Sequence, residues 1–342
     1  MIAAADLVAD PIISWANFDP HDTEMSDKAV VIGATGLLGS STVKLLSQTR
    51  HVIELRQRGS ARQSFAAETR IVDLFEPRSL ADAISDATTI LFFPSFSTPS
   101  TLPFDVRQEL AVSTTALANL VEAAAATSRH AHIVFPSTGG AIYGNSEAPC
   151  TEQTPAAPES SYAFGKLISE EILKFYARLG KTSFTIFRFS NLYGYSGKRL
   201  VPQGVIDRFL DDAVEEKVSS VWVEPSSTRD YLFVDDAAHA VRAVLDNPTN
   251  AWNSTFNVAS GNSTSIREIL SIIKKTTGGR HEFKYDSSKY GGVRHIAIDT
   301  TSFRKAYPEW NVLTPIDEGI AITWRRKLMQ SSACSPADMT GG

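Results

Sequence analysis

Three groups of residues have the types and spacings that chemistry needs. Tyr162 and Lys166 stand four apart in SYAFGK, at the start of a stretch with helical periodicity. On a helix that spacing puts phenol and ammonium on one face. A neighbouring cation favours phenolate and would lower the tyrosine pKa toward working pH, giving a usable general acid/base. Alone, Y-x-x-x-K also reads as an aromatic at a helix start beside a solvated lysine. The second group is Gly33-Ala34-Thr35-Gly36-Leu37-Leu38-Gly39, between a β-branched apolar run and an amphipathic stretch. Glycines let backbone N–H groups approach a pyrophosphate, whose charge suits the positive end of the following helix. The spacing is G-x-x-G-x-x-G, and the competing reading is a tight turn with no ligand. The third group, Ser137-Thr138-Gly139-Gly140, closes another apolar run. A hydroxyl at the carboxyl end of such a strand could bond the same substrate oxygen that the tyrosine deprotonates. The alternative there is a Ser/Thr turn.

Elements that could hold these groups together alternate along the chain. Apolar runs predict strands over 29–34, 51–55, around 70–72, 89–93, 132–136 and 184–189, and periodic stretches predict helices after the glycines, over 109–126 and over 161–180. Repeated βα units imply parallel strands and right-handed crossovers. The expected fold class is α/β: a doubly wound parallel sheet of Rossmann type with a smaller C-terminal α/β substrate-binding lobe. The expected division is an extension over 1–26 and a dinucleotide-binding domain over 27–190 that also receives about 229–262. The lobe would take 191–228 and 263–328, ahead of a flexible tail over 329–342.

Composition narrows the function. The 342 residues are 43% hydrophobic and 21% charged, with Lys+Arg 33, Asp+Glu 38 and a net charge of −5. No basic stripe offers itself to phosphate backbones, so neither nucleic acid nor an anionic membrane is an expected partner. The two cysteines, Cys150 and Cys334, make no disulfide framework and no metal-ligand spacing. No metal is expected. The start of the chain lacks a basic leader, and nowhere do 18 apolar residues run together, so the expected location is the cytoplasm. His130 and His132 read as solvated surface, Glu170, Glu171 and Lys174 as an exposed paired face, and Asp235 and Asp236 as caps of the helix that follows them.

In order along the chain stand GATGLLGS, VDLFEPRSL, PSTGGAIYG, SYAFGK, FRFSNLYG, RDYLFVDDAA and NVASGNSTS. From about Lys28 to Thr323 the chain resembles the extended short-chain dehydrogenases/reductases, in particular their nucleotide-sugar epimerase branch. That resemblance implies catalytic roles for Tyr162, Lys166 and Thr138. It implies cofactor contacts from Gly33, Thr35, Gly36, Leu37, Leu38 and Gly39, from Asp73 and Leu74, and from Ser137, Tyr162, Lys166 and Phe189. Asn191, Gln203, Arg229 and Arg294 would bind a nucleotide-sugar substrate. The cofactor implied is NAD. Relatives that prefer NAD end the second strand in an acidic residue, whereas Arg56 stands there in this chain, and an arginine at that point accommodates a 2′-phosphate, so NADP is the alternative. The chain departs from the family at Phe92-Phe93-Pro94-Ser95, where His-Leu-Ala-Ala is usual, and at Ser113, where the family has Asn.

Glycines after Thr138 remove the acid/base pair that a 4,6-dehydratase of this kind uses. What remains is chemistry needing one hydride and one proton. The leading expectation is a nucleotide-sugar 4-epimerase acting on a UDP-hexose, N-acetylhexosamine or hexuronic acid. The alternatives are an NAD(P)H-dependent 4-keto-sugar or other carbonyl reductase, and a non-catalytic dinucleotide sensor. The resemblance also implies a homodimer built on helices within 109–126 and 169–179.

Overall fold

Apolar, β-branched runs without polar alternation form strands that are covered on both faces. The computed structural model describes residues 28–59, 64–97, 105–127, 130–146, 148–195, 204–279, 281–289, 295–310 and 314–333. The first half of the chain forms β1 (Lys28–Ile32), α1 (Leu37–Leu46), β2 (His51–Gln57), β3 (Glu68–Val72), α2 (Pro77–Ile84), β4 (Thr89–Phe92) and α3 (Val106–Glu109). A π turn, Leu110–Thr114, joins α3 to α4 (Thr115–Ala126). Then come β5 (His132–Thr138), α5 (Gly139–Ile142), α6 (Ser161–Arg178), β6 (Ser183–Phe189) and β7 (Asn191–Tyr193). The remainder forms α7 (Val205–Val214), β8 (Ser219–Val221), β9 (Thr228–Phe233), α8 (Val234–Asp246), β10 (Ser254–Val258), β11 (Ser263–Ser265), α9 (Ile266–Thr276), β12 (Phe283–Tyr285), α10 (Thr301–Ala306) and α11 (Ile316–Ala333).

Seven strands make one parallel sheet in the order β3-β2-β1-β4-β5-β6-β10. Strand order reverses between β1 and β4, the crevice where doubly wound sheets receive ligands. One face buries Val31, Val43, Leu46, Val241 and Phe187, with α1 packed on α8. The other buries Ile53, Leu80, Leu117, Ile133 and Leu173 under α2, α4 and α6. Two small sheets, β11-β9-β7 and β12-β8, carry a separate apolar cluster around Tyr193, Phe209, Phe233 and Ile269.

Several local expectations need correction. The second strand runs past Leu55 to Gln57, and the helix expected over 109–126 is interrupted by the π turn. His132 is not solvated but buried, because β5 already lies inside the sheet where it begins. Glu170 is fully buried rather than exposed, because Arg188 of β6 meets it there. Asp235 and Asp236 lie in the first turn of α8 without capping it. Asp235 instead pairs with Arg326 of α11 at 2.7 Å, and Asp236 accepts from the Thr314 backbone N–H at 2.7 Å, so both tie later chain to this helix. Among the described residues no helix is long and apolar enough to cross a membrane.

Candidate active site

The glycine-rich loop leaves β1 at the strand-order reversal. Gly33 adopts φ +83°, a conformation open to glycine, and a Cβ there would lie 2.9 Å from the Phe93 and Pro94 backbone. A Cβ on Gly39 would fall 2.0 Å from the Gly33 oxygen, so α1 can seat this closely only on glycine. Gly36 forms the N-cap of α1, with no side-chain cap and no acidic residue in the first turn. The helix therefore presents its positive end to the crevice without a competing carboxylate. This cradle fits a pyrophosphate. Thr35 lies within the loop, while Leu37 and Leu38 are buried at the start of α1. Phe93 continues past β4, donating its N–H to the Ile32 oxygen at 3.0 Å, and its side chain joins the core.

Tyr162, Lys166 and Thr138 come together at the carboxyl end of β5. Ser160 caps α6, accepting from the Ala163 N–H at 3.2 Å, which fixes Tyr162 in the first turn. One turn on, Lys166 is buried and donates to the Pro136 oxygen at 2.9 Å. Its ammonium lies 4.6 Å from the centre of the Phe135 ring and 5.8 Å from that of Tyr162. Burial pushes the Tyr162 phenol up to about 12, Thr138 opposes this by a hydrogen bond, and the Glu109 carboxylate reinforces it. The expected lowering of the tyrosine is therefore not met, because desolvation outweighs the neighbouring groups. Burial likewise lowers Lys166, to about 8, against the attraction of Glu109 and Glu170.

Behind these residues lies a saturated polar cluster that sequence reasoning missed. Arg188 grips Glu170 in a fork, Nε to Oε1 at 3.0 Å and Nη2 to Oε2 at 2.7 Å. Arg188 also donates to the Tyr143 hydroxyl at 3.0 Å, which donates to Asn257 at 2.6 Å. Ser137 spends its hydroxyl on Glu170 at 2.5 Å, on the opposite side of β5 from Thr138. One signal was available, since an arginine inside the apolar run FTIFRF requires a buried partner.

A second wall faces the first. Asn191 starts β7, its Nδ2 donating to the Asp230 oxygen at 3.0 Å, and a Cβ on Gly140 would sit 3.0 Å from that amide nitrogen. Asn191 and Arg229 line one cavity of about 120 Å³ with Tyr193, Tyr231, Ile266 and the N-terminal turn of α7. Arg229 Nη1 donates to the Thr228 oxygen at 3.0 Å, and burial lowers its pKa. Phe189 pairs in register with Thr138 and stacks on Phe187 with ring centres 5.1 Å apart. Toward the other sheet edge, Arg56 donates to Glu54 at 2.5 Å, while Glu54 also accepts from Ser64 at 2.7 Å. Leu74 is buried, and exposed Asp73 accepts from the Phe75 N–H at 2.9 Å. Gln203 and Arg294 lie outside the described residues.

Comparison with known proteins bears on the family and the fold. Residues 29–259 match the family described as the NAD dependent epimerase/dehydratase family. The UDP-glucose 4-epimerase of Mycolicibacterium smegmatis is 29% identical over 308 residues, covering 86% of this chain and 97% of that one. The dTDP-4-dehydro-6-deoxyglucose reductase of Escherichia coli is 27% identical over 204 residues, covering 59% and 61%. Of several curated relatives the chain spans only 57–63% of their length. The solved UDP-glucose 4-epimerase of Thermotoga maritima, with UDP-glucose, superimposes with a TM-score of 0.78 over 88% of this chain and 99% of that one; at 23% identity it shows the shared fold. The chain belongs to the NAD dependent epimerase/dehydratase family and is an enzyme of that family.

Proposed function

We propose that the protein is a nucleotide-sugar 4-epimerase that uses tightly held NAD. One observation carries this reading: Tyr162, its Thr138 hydrogen-bond partner and Lys166 converge at the end of β5, and the next residues, Gly139 and Gly140, carry no acid or base. When bound, the nicotinamide supplies a hydride acceptor and donor. The chain's own residues supply the rest. Tyr162, as phenolate, takes the proton from the sugar C4 hydroxyl and, as phenol, later returns it, so the side chain ends each cycle as the phenolate with which it began. Thr138 hydrogen-bonds the Tyr162 oxygen and favours its ionised form. Lys166, anchored on Pro136, holds a positive charge beneath the same ring. Gly33, Gly36 and Gly39 would cradle the cofactor pyrophosphate, and Asn191 and Arg229 the diphosphate of the substrate, with the cavity beside them receiving the nucleoside.

Arg56 bears on the choice of cofactor. Its guanidinium is already paired with buried Glu54, which leaves less positive charge for a 2′-phosphate and favours NAD over NADP. A homodimer remains part of the reading, supported by Phe175 on α6 and Leu179 at its C-cap, which are about half exposed. The test is a proton-NMR time course of the purified protein against UDP-hexoses, N-acetylhexosamines and hexuronic acids, with no cofactor added. A C4 epimer is expected from one of them. Turnover that requires added NADPH and a carbonyl substrate would move the assignment to a reductase. Tyr162→Phe is expected to keep the fold and lose about 10²-fold or more in rate; near-wild-type activity would remove Tyr162 from the reaction.

A further inference from the structure

Glu109 is a buried carboxylate beside the catalytic helix that the proposed reaction leaves unused. It is 3% exposed and ends α3, immediately before the π turn Leu110–Thr114. π turns re-aim one residue of a helix and collect at functional sites. Ser97, itself buried, donates its hydroxyl to Glu109 Oε2. On its other side the carboxylate lies against Gly165, the residue before Lys166. A Cβ at 165 would fall 2.5 Å from Glu109 Cγ and 2.7 Å from Oε1, so any larger residue would push the carboxylate away from α6.

The groups around Lys166 can be counted element by element. β5 offers the uncharged Pro136 oxygen and the Phe135 ring. On α6 itself lie Tyr162 and Glu170, and Glu170 is already gripped by Arg188 of β6, with Lys174 at 3.6 Å. From α3 comes Glu109, whose oxygens have Ser97, a neutral partner. Charge on Glu170 is thus largely offset by Arg188, while that on Glu109 acts on the catalytic pair.

We propose that Glu109 is a positioning residue whose carboxylate, admitted by Gly165 and held by Ser97, keeps Lys166 charged and so sets the pH range over which Tyr162 serves as base. This rests on the roles given to Tyr162 and Lys166 above. Burial drives Lys166 toward its neutral form, and Glu109 is the foremost group acting against it. The same carboxylate opposes Tyr162 ionisation, so its presence restrains the phenol while securing the ammonium. A neutral Lys166 would withdraw positive charge from beneath Tyr162.

The test is the titration of Lys166 in the full chain, followed by carbon-13 NMR of labelled lysine side chains between pH 6 and 10, the resonance being assigned with Lys166→Met. Glu109→Gln is expected to lower the Lys166 midpoint by about one pH unit. Gly165→Ala, which retains the carboxylate but displaces it, is expected to lower it less, and Glu109→Asp to restore part of the wild-type value. A Lys166 midpoint unchanged in Glu109→Gln overturns the inference. If that variant does not fold, the same midpoint in Gly165→Ala decides in the same sense. The readout needs no turnover, which separates the two readings. Epimerase activity with a midpoint indifferent to Glu109 removes only this inference, and a Glu109-dependent midpoint in a protein that epimerises no sugar removes only the epimerase reading.

Discussion

The two ends of β5 hold polar groups in opposite ways. At the amino end, His132 sits inside the sheet between two hydroxyls of β6, Ser183 at 2.9 Å from Nδ1 and Thr185 at 2.9 Å from Nε2. Thr185 donates its own proton to the Ala251 oxygen at 2.9 Å, so it must accept from Nε2–H, and Nδ1 must accept from Ser183. Every partner there is neutral. At the carboxyl end, Ser137 and Thr138 meet charge or potential charge along α6: Ser137 meets Glu170 with its partner Arg188, and Thr138 meets Tyr162, with Lys166 one turn on. One strand pair thus builds a closed structural contact at one end and, at the other, the charged wall that the proposed reaction would use. Parallel sheets favour this asymmetry, because it is at their carboxyl ends that the chain turns into helix N-termini.

The contrast can be broken most severely at the charged end. Arg188→Ala leaves the Glu170 carboxylate buried without its fork, and is expected to cost about 3–5 kcal/mol in urea unfolding. Replacing both partners, Arg188→Met with Glu170→Leu, should recover much of that loss, because an apolar pair of similar size leaves no stranded charge. A double variant as unstable as the single would mean that Tyr143 and Ser137, and not the ion pair, hold the cluster together. A smaller effect is expected at Thr138. Thr138→Ala removes the hydrogen bond that favours phenolate at Tyr162, so turnover should fall about 10²-fold at neutral pH, and more steeply as the pH is lowered. Thr138→Ser should retain most of the activity. Equal rates for alanine and serine would place Thr138 outside the reaction.

The same contrast explains what the sequence disclosed. Short-range patterns were readable: the glycines after β1, the four-residue spacing of Tyr162 and Lys166, and the hydroxyls closing β5 all lie within single strand–turn–helix units, and the parallel sheet follows from their repetition. Relations between units were not. Glu170 looks exposed in a sequence because its helix neighbours are Glu171 and Lys174; that Arg188, 18 residues later, meets it is a fact of tertiary packing. Glu109 gives still less sign, since a π turn leaves no composition signature and its contact with Gly165 spans two helices. The Tyr162 pKa follows the same rule: spacing reveals the cation four residues on, whereas only the fold reveals the burial that raises the phenol.

The smallest expected effect lies at the closed end of the strand and is a matter of pH. Burial, with His130 nearby, lowers His132 to about 3, while in the unfolded chain it titrates near its ordinary 6.5. Between these values the unfolded state binds a proton that the folded state refuses, so stability falls as the pH falls from about 6.5 toward 3; above that window His132 adds no pH dependence. The expected slope is about 1.4 kcal/mol per pH unit once the unfolded histidine is fully charged. His132→Gln can accept from Ser183 and donate to Thr185 as the neutral ring does, yet it cannot ionise. Urea unfolding of both proteins at pH 7, 6, 5 and 4.5 should therefore show the wild-type stability falling relative to that of the variant as the pH falls, by up to about 1.4 kcal/mol per unit. Parallel curves would mean that the histidine finds a way to charge within the sheet, and the distinction between a neutral and a charged end of β5 would fail.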